Sequence, residues 1–88
     1  MHQYQPLLQI FLLEQIKMHR NTLHVTQEIM SEQLRISPRS YVDLECGKYC
    51  CSATTLMFFL MTLPEGEVLR LCTEFRTLVE KEDSHVVT

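Results

Sequence analysis

Apolar side chains recur along this chain at the three- to four-residue spacing of amphipathic helices, and no alternating β pattern persists between them. The pattern predicts five helices, over residues of about 6–20, 26–34, 37–45, 52–63 and 67–82. The fourth helix is apolar almost all round, so we expect it to be the most enclosed. The predicted inner face of the first helix consists of Leu7, Leu8, Ile10, Phe11, Leu13, Ile16 and Met18.

Capping residues mark where three of these helices begin. Thr26, Ser37 and Ser52 each carry a hydroxyl that can accept a first-turn N–H. Pro38 follows at the first helical position, where its missing N–H costs nothing. Gly47 supplies a left-handed residue that ends the third helix. Because only a few residues separate the second and third helices, we expect the two helices to turn sharply against each other.

Length and composition describe one ordinary globular domain, residues 1–88. The chain has 45% hydrophobic and 22% charged residues, and its formal net charge is −3. The longest apolar-leaning run, residues 53–63, is shorter than the roughly 18 residues that a membrane helix needs. Residues 1–6 lack the basic region of a secretion signal. We therefore expect a cytoplasmic protein without a membrane segment.

The side chains that could carry chemistry are dispersed along the chain. The acids lie along predicted helix faces, and the four histidines fall in no motif. No C-x2-C pair is present, so we expect reduced thiols rather than a zinc site at the cysteines, which are Cys46, Cys50, Cys51 and Cys72. The sequence therefore predicts no catalytic residues, no metal, no cofactor and no enzymatic activity.

A characteristic order of motifs runs through residues 26–63. Thr26-Gln27-Glu28 opens the second helix, Leu34-x-Ile36-Ser37 spans the turn, and Leu44-Glu45-x-Gly47-Lys48 closes the third helix. In this order and spacing, the block resembles the Cro and phage-repressor helix–turn–helix family, often called XRE type. The resemblance implies an all-α, five-helix λ-repressor-like helix–turn–helix domain. Its core would cover about residues 7–63, followed by a C-terminal helix at about 65–82.

The same resemblance implies a sequence-specific DNA-binding transcriptional regulator. Its third helix, at about residues 38–45, would enter the major groove of double-stranded DNA. The residues placed to read base edges are Pro38, Arg39, Ser40 and Asp43. Arg39 can donate two hydrogen bonds to guanine, and Asp43 can accept one from a cytosine amino group. The candidates for phosphate contacts are Thr26, Gln27, Ser37, Lys48, Tyr49 and Ser52.

Other residues of the block have framework roles. We expect Ser31 to let the second and third helices approach closely, and Ile36 to fill the turn as an apolar plug. In the family, the glutamate at the position of Glu45 commonly pairs with a basic residue. Arg20 and Arg35 are the candidate partners here, and plain solvent exposure is the alternative.

Charge and several departures from the family pattern leave a second function open. Residues 35–52 carry a net charge of only +1, which predicts weak DNA binding by a monomer. Pro38 and the pair Cys50-Cys51 replace the polar residues usual at their positions. The alternative function is a protein-interaction module on the same fold, which binds a partner through the third helix or the Met- and Phe-rich fourth helix.

The fifth helix is the expected place of a homodimer contact. Its segment carries a net charge of −3 and should face away from DNA. We expect most of its apolar stripe to close the core. The remainder, consisting of Leu71, Leu78 and Val79, is a candidate for a self-complementary two-fold contact.

Overall fold

The computed structural model describes residues 4–87, with side chains up to residue 84. This part of the chain consists of five helices and contains no strand, which confirms the all-α prediction. The helices are α1 (Tyr4–Leu23), α2 (Gln27–Leu34), α3 (Pro38–Glu45), α4 (Ala53–Met61) and α5 (Glu65–Val87). Within the described range, none of the helices combines the length and the apolar character that crossing a bilayer requires.

The starts of α2, α3 and α4 lie where the capping residues predict them. The hydroxyls of Thr26, Ser37 and Ser52 each accept a hydrogen bond from the backbone N–H three residues later, at 3.0 to 3.2 Å. Pro38 occupies the first turn of α3. Each cap satisfies one N–H group that the helix itself leaves unpaired.

The ends of α1, α2 and α3 share one geometry. Each is followed by a left-handed residue: His24 with φ 56°, Arg35 with φ 59° and Gly47 with φ 77°. The amides of that residue and the next donate to carbonyls three and five residues earlier, at 3.0 to 3.3 Å. This is the Schellman arrangement. Of the three residues, only Gly47 lacks the Cβ that makes a left-handed conformation costly.

The buried apolar side chains in the described range form one cluster, to which every helix contributes. Its members are Phe11, Leu12, Ile16, Met30, Leu34, Tyr41, Leu44, Phe59 and Leu71. The predicted inner face of α1 needs correction, because Ile10 and Met18 are 58% and 57% exposed while Leu12 is buried. α1 packs mainly against α3 and α5, and seven apolar positions span more of its circumference than these neighbours cover.

The expectation that α4 is the most enclosed helix is wrong. Its buried residues are Thr55 and Phe59, whereas Met57 and Met61 are 56% and 67% exposed. α4 packs mainly against α2, so one side of this helix is covered. An apolar composition all round the helix therefore leaves methionine side chains in contact with solvent.

The packing of α5 corrects part of the predicted two-fold contact. Leu71 is buried in the core and Leu78 packs against the same cluster, so Leu71 has no free surface to offer a second copy. The ring of Phe75 lies 5.6 Å from that of Phe11 on α1. The Tyr4 hydroxyl on α1 donates to the Asp83 carboxylate on α5. Both residues lie outside the predicted bounds of their helices, because α1 and α5 are longer than predicted.

Candidate nucleic-acid interface

α2 and α3 form a compact pair joined by a three-residue turn, residues 35–37. Ser31 is fully buried on α2, and its hydroxyl donates to the Glu28 carbonyl at 2.6 Å. Ile36 packs from the turn against the core. The prediction for Ile36 is thus confirmed, and the burial of the small Ser31 side chain is consistent with a close approach of the two helices.

A buried carboxylate fixes the last turn of α3. Glu45 is 7% exposed. The Arg20 guanidinium donates to it from Nε at 2.7 Å and from Nη2 at 3.3 Å, and the Gln27 amide donates at 2.9 Å. The Tyr41 hydroxyl donates to the same carboxylate. Of the two candidate partners, Arg20 is therefore the one that pairs with Glu45.

This network keeps Glu45 charged. Burial raises the pKa of its carboxyl, but the hydrogen bonds from Arg20, Tyr41 and Gln27 outweigh burial and hold the pKa below its ordinary value. Burial, followed by the hydrogen bond to Glu45, raises the pKa of Tyr41. A carboxylate in the last turn of a helix opposes the helix dipole, and here Arg20 compensates the charge.

Arg35 anchors the turn in a different way. Its guanidinium carbon lies 4.3 Å from the ring centroid of Phe58 on α4, within the range of a cation–π contact. The turn between α2 and α3 is consequently attached to α4, while the far end of α3 is attached to α1 through Glu45. α3 is therefore held at both ends.

The first turn of α3 faces solvent. The Arg39 side chain is 85% exposed, and Pro38 beside it is exposed as well. Ser40 is half-buried, and the Ser37 hydroxyl donates to its hydroxyl at 2.9 Å. Asp43 lies one turn further on, with its side chain 26% exposed. At this exposure, the Arg39 side chain extends from the protein surface.

Two residues after α3 fold back onto it. Lys48 Nζ lies 3.3 Å from Asp43 Oδ1, and the Tyr49 hydroxyl donates to the Ser40 carbonyl at 2.7 Å. Arg39 Nε is 4.0 Å from Asp43 Oδ2. The structure thus gathers most of the predicted site residues on one surface, namely Ser37, Pro38, Arg39, Ser40, Asp43, Lys48 and Tyr49. We call this set the α3 surface.

The remaining predicted phosphate contacts lie at helix starts. In the described chain, the side-chain hydrogen bonds of Thr26 and Ser52 stay within the first turns of α2 and α4. The Gln27 amide donates one N–H to Glu45, which leaves its second N–H for another acceptor. Gln27 therefore has a framework contact that sequence reasoning missed, although its position at the start of α2 was predicted.

The described residues also include side chains that can bind metals or react as thiols. Within this part of the chain, no three His, Cys, Asp or Glu side chains are grouped so that they could hold a metal ion. The cysteines described are free thiols, and burial raises the pKa of Cys51 to about 11. Comparisons of the chain with protein-family models, with curated proteins and with solved structures find no match.

Proposed function

We propose that this chain is a sequence-specific DNA-binding transcriptional regulator with a λ-repressor-like helix–turn–helix, in which α3 enters the major groove of duplex DNA. The observation that carries the proposal is the Arg39 side chain, 85% exposed on the first turn of a helix that is held at both ends. A side chain that reads bases must project freely from a backbone that does not move, and Arg39 meets both conditions.

The dimensions of α3 fit this role. An α-helix with its side chains is about 10–12 Å in diameter, and the major groove, about 12 Å wide, admits it. Arg39 can then reach the O6 and N7 atoms of a guanine. Lys48 lies beside α3 as a phosphate contact, and Tyr49 becomes one when its hydroxyl turns from the Ser40 carbonyl to a phosphate. The N–H groups that begin α2 offer a further anion site.

Charge sets the expected strength of binding. The whole chain carries −3, and residues 35–52 carry +1, so a monomer has few phosphate contacts. A homodimer would double those contacts and match two half-sites. Leu71 is buried in the core and cannot take part in such a contact. Support for a contact between two copies comes from the half-exposed part of the α5 stripe around Val79.

The test is selection from a random duplex pool followed by fluorescence anisotropy over a range of salt. Arg39→Ala should cost about 1–3 kcal/mol at one base position and relax preference there. Lys48→Ala should weaken binding to every sequence and lower the salt slope by about one. Arg76→Ala, which removes an exposed arginine from α5, is the matched control. It should leave the base preference and the salt dependence of binding unchanged. Absence of binding to any duplex at low salt contradicts the proposal.

A second candidate function is a protein-interaction module on the same fold. It is favoured by Met57 and Met61, which lie one turn apart on α4 and are largely exposed. Flexible methionine side chains suit an adaptable apolar contact. In this case Met57→Lys with Met61→Lys should abolish recovery of the partner from nuclease-treated lysate, while Arg39→Ala leaves recovery unchanged. The reverse pattern would exclude α4 as the contact.

A further inference from the structure

One carboxylate lies between the two cations of the α3 surface. Asp43 Oδ1 is 3.3 Å from Lys48 Nζ, and its Oδ2 is 4.0 Å from Arg39 Nε. The two basic side chains are 64% and 85% exposed, whereas that of Asp43 is 26% exposed. Both cations that the proposed function assigns to DNA are therefore shared with an acid in the free protein.

The three side chains differ in their freedom to move. Exposed ion pairs of this kind contribute little, so Lys48 and Arg39 can leave Asp43 for a phosphate or a guanine. Asp43 cannot follow them, because its short side chain is attached to α3 and two turns of that helix are fixed by Tyr41 and Glu45. When α3 docks, this carboxylate stays in place and loses its partners.

A carboxylate without a partner opposes binding to DNA in general. It would face a groove lined by phosphates, and at separations near 6 Å in a partly solvated interface this repulsion weakens binding by about tenfold. In the major groove, cytosine and adenine present an exocyclic amino group that can donate to a carboxylate. A duplex with such a group opposite Asp43 replaces the lost contacts, and other duplexes do not.

We propose that Asp43 is a specificity-determining residue, which weakens binding of the α3 surface to duplexes in general and is compensated only where the base pair opposite it offers a cytosine or adenine amino group. This inference rests on the proposed DNA-binding function. Asp43 acts by repulsion as well as by recognition, because a duplex without an amino group at that position leaves the Asp43 carboxylate unpaired. The intended sites would therefore pair a guanine for Arg39 with an amino-bearing base for Asp43.

The experiment compares Asp43→Asn with Glu80→Gln, which makes the same charge change at an exposed position on α5. Binding of each full-length chain is measured by anisotropy to a mixed-sequence duplex and to the best duplex from pool selection, at about 50 mM salt. Asp43→Asn should bind the mixed duplex about tenfold tighter, and its ratio of selected to mixed affinity should fall by about tenfold or more. Glu80→Gln should change either affinity by less than about twofold.

A second substitution at Asp43 separates the effect of the lost charge from new base contacts made by asparagine. Asparagine can itself read adenine through its amide, whereas Asp43→Ser removes the charge without introducing an amide, and it should show the same gain on the mixed duplex. Circular dichroism confirms that each variant is folded. If Asp43→Asn and Asp43→Ser bind the mixed duplex no tighter than Glu80→Gln, the inference is overturned and the proposed function stands. If wild type and all variants bind no duplex, both are overturned.

Discussion

Replacing Glu45 by glutamine tests the link between the buried network and the stability of the whole domain. Glu45→Gln keeps the shape of the side chain and removes its charge. One oxygen remains to accept hydrogen bonds, but an NH₂ group takes the place of the other and meets the N–H donor of Arg20. The Tyr41 hydroxyl keeps its contact only by turning its proton away and accepting instead. Donor then faces donor at the most buried part of the site.

The expected cost follows from the contacts that are lost. A hydrogen bond to a charged group contributes about 1.5–3 kcal/mol. Two such bonds to a charged carboxylate are lost: the 2.7 Å contact from Arg20 Nε is broken, and that from Tyr41 is replaced by a neutral one. Because the Arg20 side chain is 22% exposed, water recovers part of its loss, and we expect a net destabilisation of about 2–4 kcal/mol. Tyr41→Phe removes a single donor and should cost about 1–2 kcal/mol.

Urea unfolding followed by far-ultraviolet circular dichroism measures these differences. The pH dependence gives a second readout, since the folded-state pKa of Glu45 is lowered. Its stabilisation is complete above the unfolded-state pKa of about 4.3 and is lost as the pH falls through the lower folded-state pKa. The difference in stability between wild type and Glu45→Gln should therefore narrow in acid. A difference below about 1 kcal/mol at neutral pH, or one independent of pH, would refute the reasoning.

Three further predictions concern backbone geometry and packing, each read by urea unfolding. His24→Gly relieves a left-handed residue and should stabilise by about 0.5–1 kcal/mol, whereas Arg35→Gly should gain less because the Phe58 contact is lost. Gly47→Ala should cost about 1–2 kcal/mol from backbone strain alone, since the added Cβ would meet its nearest neighbour at an ordinary 3.8 Å. Ser31→Leu overpacks a fully buried position and should cost about 1–3 kcal/mol or more.

A matched variant tests the stated cause of each of these three effects. In a Phe58→Leu background the two glycine substitutions should become equivalent, and a persisting difference would remove the cation–π explanation. Gly47→Asn should be tolerated better than Gly47→Ala, because asparagine accepts the left-handed region more readily. Ser31→Ala should cost less than about 1 kcal/mol, since the hydroxyl bonds to its own helix; a cost equal to that of the leucine would point away from crowding.

Helix starts could be predicted from the sequence, and helix ends could be predicted only in part. The hydroxyls at Thr26, Ser37 and Ser52 act within one turn, so local sequence suffices to place them. The stops at His24 and Arg35 use left-handed residues that carry a side chain. Neither residue type favours this conformation, so the local sequence does not signal these stops.

Contacts within the candidate site could be predicted in part, whereas the exposure of side chains on α4 could not. The pairing of Glu45 with Arg20 was within reach of the sequence, and the spacing of Tyr41 four residues before Glu45 could also have indicated their contact. Likewise, the spacing between Arg39 and Asp43 could have indicated their ion pair. The exposure of the α4 methionines could not be predicted, because it depends on which helices pack beside α4.

Stacking of Arg35 on Phe58 also has a consequence for motion. With one end held to α4 and the other to α1, α3 has no free terminus from which to fray. Its amide protons from Tyr41 onward should exchange with deuterium only through large openings of the domain, whereas the first-turn amides lack an intrahelical acceptor and exchange faster. The proposed reading helix would then bind a duplex without changing its own conformation. Any deformation needed for a fit would be made by the nucleic acid.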